Sequence, residues 1–237
     1  MKNFHGSVLC LALAIGILTD CCYLPENFRI PAGKIVTDRL QEPDNPSLSE
    51  HKLWLRYQKI NPDLKAVLVF ENGLLSLPVV QSHDNTTYLR RGFDGSYDRK
   101  GTPFLDCQDH LSDPVFLIYG HLVYYDPSRA FSPLVRLETQ EGFEKNHSFF
   151  LILEEEIRAY EIVSVFRITI QSHAFDQRKS SFSDRKDFDQ WIGYAQNHNE
   201  IESREHAQMT DHFCLLQTCV RDNENQRLIV LAREKYR

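Results

Sequence analysis

A cysteine and an arginine near the C-terminus carry the first chemistry in this sequence. The run Phe213-Cys-Leu-Leu-Gln-Thr-Cys219 ends on a thiol. The polar stretch Val220-Arg-Asp-Asn-Glu-Asn225 follows, and a second apolar run opens directly after Arg227. Apolar runs of this length around an Asp/Asn-rich segment predict strand, loop, strand. If the two strands are neighbours, Cys219 and Arg227 lie at the same end of one sheet. A cation beside a thiol lowers its pKa, and a guanidinium can stabilise an oxyanion. A cysteine nucleophile also needs an acid/base partner, normally a histidine from elsewhere in the chain. His121 fits that need, because it follows the apolar run Phe116-Leu-Ile-Tyr119 and Gly120 and so stands at a strand end.

The elements that must position these residues are written as short apolar runs. With 237 residues, 42% hydrophobic and 25% charged, the chain has the composition of an ordinary globular protein with one substantial core. Its net charge of −6, from 27 basic and 33 acidic residues, argues against a nucleic-acid partner bound by bulk electrostatics. A helix is expected after residue 47, capped by Ser47 or Ser49, with Leu53, Trp54, Tyr57, Ile60 and Leu64 at helical spacing and a stop at Asn61-Pro62. Ala66–Phe70, the turn Asn72-Gly73 and Leu74–Val80 read as a hairpin. A loop-rich stretch from Gln81 to Asp106 leads to the strand before His121. Ser132-Pro133 opens a short helix. Phe149–Leu153 and Tyr160–Ile170 are further strands. Ser183 can cap a helix that carries Phe188, Trp191, Ile192 and Ala195 on one face. Many strands with inserted helices and no βαβ alternation predict a mostly β fold, a closed or nearly closed barrel with decorations.

The first 24 residues form a separate unit. An apolar run over residues 7–18 follows Lys2 and admits three readings: signal-anchor, cleaved signal peptide and lipoprotein signal. No small-x-small cleavage site stands out, and Asp20 spoils the lipobox before Cys21, so an uncleaved anchor is favoured. Residues 25–46, with Pro25, Pro31, Pro43 and Pro46, read as a linker to a body spanning 47–237. Of six cysteines, Cys10, Cys21 and Cys22 belong to the N-terminal unit. Cys107, Cys214 and Cys219 remain in the body. Cys214 and Cys219 would face opposite sides of one strand, so a bridge between them is hard to form and Cys219 reads as a free thiol.

The strings Ile118-Tyr-Gly-His121, Leu216-Gln-Thr-Cys219 and Arg227-Leu-Ile-Val-Leu-Ala232, in this order, resemble the three signatures of sortases, the cysteine transpeptidases of Gram-positive cell surfaces. Pro78-Val-Val-Gln81, Asp84-Asn-Thr-Thr-Tyr-Leu89, Phe93-Asp-Gly95, Gly101-Thr-Pro-Phe-Leu-Asp106 and the inserted helix at 183–196 resemble class B members in particular. The resemblance runs from about residue 47 to the C-terminus. It implies an eight-stranded barrel with an N-terminal helix, and a reaction that needs neither cofactor nor metal. The Cys219 thiolate would attack the carbonyl of a threonine in a C-terminal sorting signal of a surface protein. Arg227 would hold the oxyanion or the substrate backbone. His121 would protonate the leaving amine and deprotonate the incoming one, from a peptidoglycan precursor or a pilin. Asn85, Leu89, Tyr119 and Thr218 are carried over as substrate contacts. The first 24 residues would anchor the enzyme in the membrane with its catalytic domain outside the cell.

Four features depart from the pattern, among them the additional thiol Cys214 and the atypical N-terminal anchor. Gln217 stands where class B members often have a small serine, and only seven residues separate Cys219 from Arg227. The main non-catalytic alternative is a zinc site from His121, His212, Cys214 and Cys219, but the spacing is not Cys-x-x-Cys. A sortase-like interaction module without turnover would need a broken triad, and the triad is intact.

Overall fold

The computed structural model describes residues 48–235. The expected anchor (1–24) and linker (25–46) lie outside them. No helix among the described residues is long and apolar enough to cross a membrane.

Helix α1 (Leu48–Ile60) stops just before Asn61-Pro62, because the residue preceding a proline is pushed out of the helical region. Ser49 lies inside the helix rather than at its cap, and Ser47 is outside the described residues. Trp54 and Tyr57 are buried as the spacing predicted. Leu64, expected on the same helical face, instead opens strand β1 (Leu64–Phe70). Strand β2 (Ser76–Val80) returns antiparallel to β1 through the Asn72-Gly73 loop, where Gly73 N donates to Phe70 O at 3.0 Å. The loop that follows holds one 3-10 turn, Thr87–Leu89. Strand β3 is only Phe104–Leu105, and β4 is Val115–Tyr119.

A 3-10 stretch, Ser132–Glu138, and a short helix α2 (Gln140–Lys145) precede β5 (Ser148–Ile152) and the long β6 (Ile157–Thr169). Helix α3 (Arg185–Asn197) then leads to β7 (Phe213–Cys219) and β8 (Gln226–Lys235). The cap of α3 is Asp184, whose carboxylate accepts from Asp187 N at 2.9 Å. Ser183, the expected cap, instead donates its N–H to the Asp187 carboxylate at 3.0 Å. The two residues thus satisfy each other's neighbours in a reciprocal cap.

The strands close into a barrel in the order β1-β2-β3-β4-β7-β8-β6-β5, the eight-stranded architecture that the sequence resemblance implied. Alternation divides each strand between two cores. Phe116, Ile118, Cys214, Leu216, Leu228 and Val230 pack with the interior cluster. The residues between them, Val115, Leu117, Phe213, Leu215, Ile229 and Leu231, pack outward against α3 through Phe188, Trp191, Ile192 and Ala195. On another part of the barrel wall, Trp54 and Tyr57 of α1 cover Val67, Val69 and Val80.

Candidate active site

Three neighbouring strands bring the candidate residues into one row. Cys219 and Arg227 are direct cross-strand partners, the terminal pair of the antiparallel β7–β8 ladder. Side chains so paired have Cβ atoms about 5 Å apart. Strand β4 runs parallel to β7 with Tyr119 opposite Gln217, and Gly120 N extends that ladder by donating to Gln217 O at 3.0 Å. His121 follows directly on Gly120, just past the end of β4 and on the side of β7 away from β8. The loop from Cys219 to Arg227 is short because it only has to turn the chain between adjacent strands. His121, Cys219 and Arg227 are all half-buried.

Each of the three is held differently. His121 Nε2 lies 2.8 Å from the carbonyl oxygen of Leu89. A carbonyl only accepts, so Nε2 carries the proton in this contact and Nδ1 is the nitrogen left for proton transfer. Gly120 lets the chain pass the buried ring of Phe131, where a Cβ would meet ring carbon at 2.4 Å. Arg227 donates through Nη1 to the carbonyls of Glu224 and Gln226, at 2.9 and 2.7 Å. These bonds fix the guanidinium over its own loop and leave the donors of Nε and Nη2 for a ligand. Arg227 makes no ion pair among the described residues. Cys219 is a free thiol.

The four expected substrate-contact residues separate into three situations. Tyr119 and Asn85 meet at Asp106, which the Tyr119 hydroxyl reaches at 2.7 Å and Asn85 Nδ2 at 3.0 Å. Asp106 is only 1% exposed. Burial is the largest influence on it and opposes its charge. The N–H of Gln108, the Tyr119 hydroxyl, the Asn85 amide and Arg178 together outweigh burial and hold the carboxyl below its usual range. Burial first, and then the bond to Asp106, pushes the Tyr119 phenol well up. Asn85 Oδ1 also accepts from Cys107 N at 2.8 Å. Both side chains are therefore built into a wall. Leu89 packs partly into the core and offers its main-chain oxygen to His121. Thr218 is the exception: it pairs with the interior Leu228, is 2% exposed and faces into the barrel, opposite to Cys219.

Gln217 shares the outer face with Cys219. It is 9% exposed, and its side-chain oxygen is buried without a hydrogen-bond partner among the described residues. The zinc alternative fails on the same alternation. Cys214 is enclosed in the barrel, where burial pushes its thiol well up, whereas Cys219 lies on the outer face. His212 stands at the far end of β7, with Nδ1 3.2 Å from Asp113 O. The residues missed by sequence reasoning are Asp106 as the hub of the wall and Leu89 as a main-chain acceptor. Asp106 ends a string that resembles class B members, which was its only signal.

No protein-family model matches the chain. Sortase B of Staphylococcus aureus is 23% identical over 244 residues, covering 98% of this chain and 97% of that protein. Sortase B of Listeria monocytogenes is 25% identical over 177 residues, covering 73% and 70%. Among solved structures, a mutant form of Clostridium perfringens sortase B matches with a TM-score of 0.72 at 25% identity, over 80% of this chain and 92% of that one. A Staphylococcus aureus sortase B–substrate complex matches with a TM-score of 0.70 at 22% identity, over 78% and 85%. Near end-to-end similarity to the Staphylococcus aureus sortase B sequence, the same closed barrel, and the three signature strings on the adjacent strands β4, β7 and β8 support reading this chain as a class B sortase, a cysteine transpeptidase.

Proposed function

We propose that His121, Cys219 and Arg227 are the catalytic residues of this transpeptidase, and that its donor substrate is the C-terminal sorting signal of a surface protein. The observation that supports the reading best is the arrangement itself, with Cys219 opposite Arg227 and His121 just past the end of β4, the strand on the other side of β7. Cys219 attacks the carbonyl carbon of the threonine at the cleavage position. The free donors of Arg227 face the oxygen that gains charge, or hold the peptide backbone beside it. His121 Nδ1 protonates the leaving amine, and a thioester remains on Cys219. A second amine, from a cell-wall precursor or a pilin, then loses its proton to His121 as it attacks the thioester. Asn85, Tyr119 and the Leu89 segment form the wall along which the signal lies. Thr218 contributes its main chain, since its side chain is turned inward. Residues 1–24 anchor the enzyme in the membrane and residues 25–46 space the catalytic domain outside the cell.

The test is mass spectrometry of the full chain incubated with a library of threonine-containing sorting-type peptides. An acyl adduct on Cys219, absent from Cys219→Ala together with cleavage and transfer, is the expected result. Full activity in Cys219→Ala would overturn the assignment.

A further inference from the structure

Between Cys219 and Arg227 the chain runs through a loop that is exposed over residues 221–225 and tied down on both sides. On the β4 side, Arg221 Nη2 donates to Tyr124 O at 2.6 Å. On the β6 side, Arg167 Nη1 donates to both carboxylate oxygens of Asp222, each at 3.1 Å. Just past β6, Ile170 N donates to Asn225 O at 2.8 Å, and within the loop Gln226 N donates to Asn223 O at 3.0 Å. The catalytic steps above use Arg227 and leave Arg167 and Asp222 without a part.

Arg167 cannot reach Arg227 directly. It pairs with Leu228 across the β6–β8 ladder and shares the inner face with it, whereas Arg227 pairs with Ile168 and Cys219 and shares the outer one. What joins the two arginines is the loop. Glu138 accepts from Arg167 Nε at 2.5 Å, and Glu200 stands 3.8 Å from the same nitrogen. With Nε held by the body of the barrel, the planar guanidinium turns Nη1 toward Asp222. That bond is the largest influence on the Asp222 carboxyl and holds it below its usual range. Two residues beyond Asp222, the Glu224 carbonyl accepts from Arg227 Nη1 at 2.9 Å, and the Gln226 carbonyl accepts from the same nitrogen at 2.7 Å. Gln226 is fixed by its pairing with Thr169 in the ladder. Glu224 lies outside every strand, so its place depends on how the loop is anchored.

We infer that Asp222 is a positioning residue for Arg227, and that its bond to Arg167 fixes the loop carbonyl that aims the guanidinium. The inference rests on the transpeptidase reading, in which Arg227 meets the oxygen of the threonyl carbonyl or the backbone beside it. Such a donor works only where its N–H groups already point at the developing charge. An arginine side chain has many rotamers to lose. Two carbonyls occupy both hydrogens of Nη1, set the plane of the group and turn Nε and Nη2 outward. If the Glu224 carbonyl drifts, Nη1 keeps only the Gln226 carbonyl and the group can swing about that single contact. Asp222 itself touches no reacting atom. Its loss leaves Arg167 with Glu138 and Glu200, so the barrel keeps those ion pairs and its fold.

The quantity that tests this is the rate of thioester formation on Cys219, read by mass spectrometry with the best-cleaved peptide of the library above and expressed per folded molecule from urea melts. The full chain is compared with Asp222→Ala, Asp222→Asn, Arg227→Ala and the double variant Arg227→Ala/Asp222→Ala. We expect Asp222→Ala to slow thioester formation about tenfold, part of the loss caused by removing the guanidinium, with the urea midpoint unchanged. Asp222→Asn, whose amide oxygen can still accept from Arg167, should recover most of the rate. In the Arg227→Ala background Asp222→Ala should have no further effect, because losses that run through one group do not add. An unchanged rate in Asp222→Ala, no recovery in Asp222→Asn, or the same tenfold loss in the Arg227→Ala background overturns the positioning role, while thioester formation by the wild type upholds the donor reading. No thioester on the wild type with any peptide overturns the donor reading and this inference with it.

Discussion

Gly101 offers a way to move His121 without touching it. Among the described residues the His121 ring is held by a main-chain oxygen, that of Leu89, so no side-chain substitution at Leu89 removes the acceptor. Gly101 has φ +61°, and a Cβ there would lie 2.4 Å from Tyr88 O and 2.8 Å from Leu89 O. Both atoms are backbone and cannot swing aside. Gly101→Ala therefore imposes a left-handed conformation on a residue with a Cβ, at about 1–2 kcal/mol. It also displaces Tyr88 O from Thr102 N, now 3.1 Å away, at about 1 kcal/mol. The sum is a destabilisation of about 2–3 kcal/mol, which a domain of ordinary stability survives mostly folded. The displaced Leu89 oxygen leaves the imidazole without its orienting partner. General acid–base catalysis contributes about 10²- to 10⁴-fold, so losing part of it should lower transfer by at least about tenfold per folded molecule. The assay pairs a urea melt, which gives the folded fraction, with transfer rates across pH. A variant destabilised as expected, but with unchanged rate and pH profile per folded molecule, would refute the orienting role of Leu89. A variant with unchanged stability would refute the steric reasoning itself.

Three further outcomes follow from the site and its wall. Arg227→Ala should lower thioester formation by about 10²-fold or more, yet cost under about 1 kcal/mol of stability, because its bonds go to carbonyls of an exposed loop; a large fall in urea midpoint would contradict this. Tyr119→Phe leaves the buried Asp106 carboxylate short of a donor and should cost about 2 kcal/mol; a double-mutant cycle with Asp106→Asn showing no coupling would sink the wall as described. Asp109, 6% exposed, is raised to about 6, by burial first and then by Asp106 and Asp113, against the opposing Leu117 N–H. Between about pH 4 and 6 the folded form then holds a proton that the unfolded chain has lost, so stability falls as pH rises through that window, by at most about 3 kcal/mol. Asp109→Asn, whose amide oxygen can still accept from Leu117 N, should flatten that slope in urea melts at pH 4.5 and 7.5; an unchanged slope would assign it to another group.

The parts of this protein that were legible in its sequence are those where one pattern repeats long enough to be read. Strand β7 shows seven residues with a thiol at the end, and β8 opens on a polar residue and an arginine, so their shared sheet end could be inferred before any coordinates. Strand β3 was not legible, because two residues carry no period. Helix α2, at six residues, was missed for the same reason. Leu64 continued the helical spacing of α1 by coincidence, and Pro62 decided against it. Leu89 was marked by its string, yet what it offers His121 is a carbonyl, which every residue type possesses. Thr218 shows the reverse error. The motif attracted attention to it, while simple alternation along β7 turns its side chain away from Cys219.

Strand β7 also explains why its two thiols are not equivalent. Cys214 and Cys219 are separated by an odd number of positions, so the pleat sends one into the barrel and the other out. The interior thiol is fully buried, and burial pushes it well up toward the inert, protonated form. Outside, the aromatic cover from α3 protects Phe213 and Leu215 and does not include Cys219, which stays half-buried opposite Arg227. A slip of one residue in the β7 register would exchange the two faces. It would enclose Cys219 together with Phe213 and Leu215, which now pack beneath α3, and turn Cys214, Leu216 and Thr218 outward. The energy that fixes the register is the burial of large apolar side chains on both faces of β7, about 1.5–3 kcal/mol for each fully buried residue. Core packing far from the row is thus what selects the thiol that stays on the outer face opposite Arg227, and a lost aromatic contact under α3 should act on that thiol through this register.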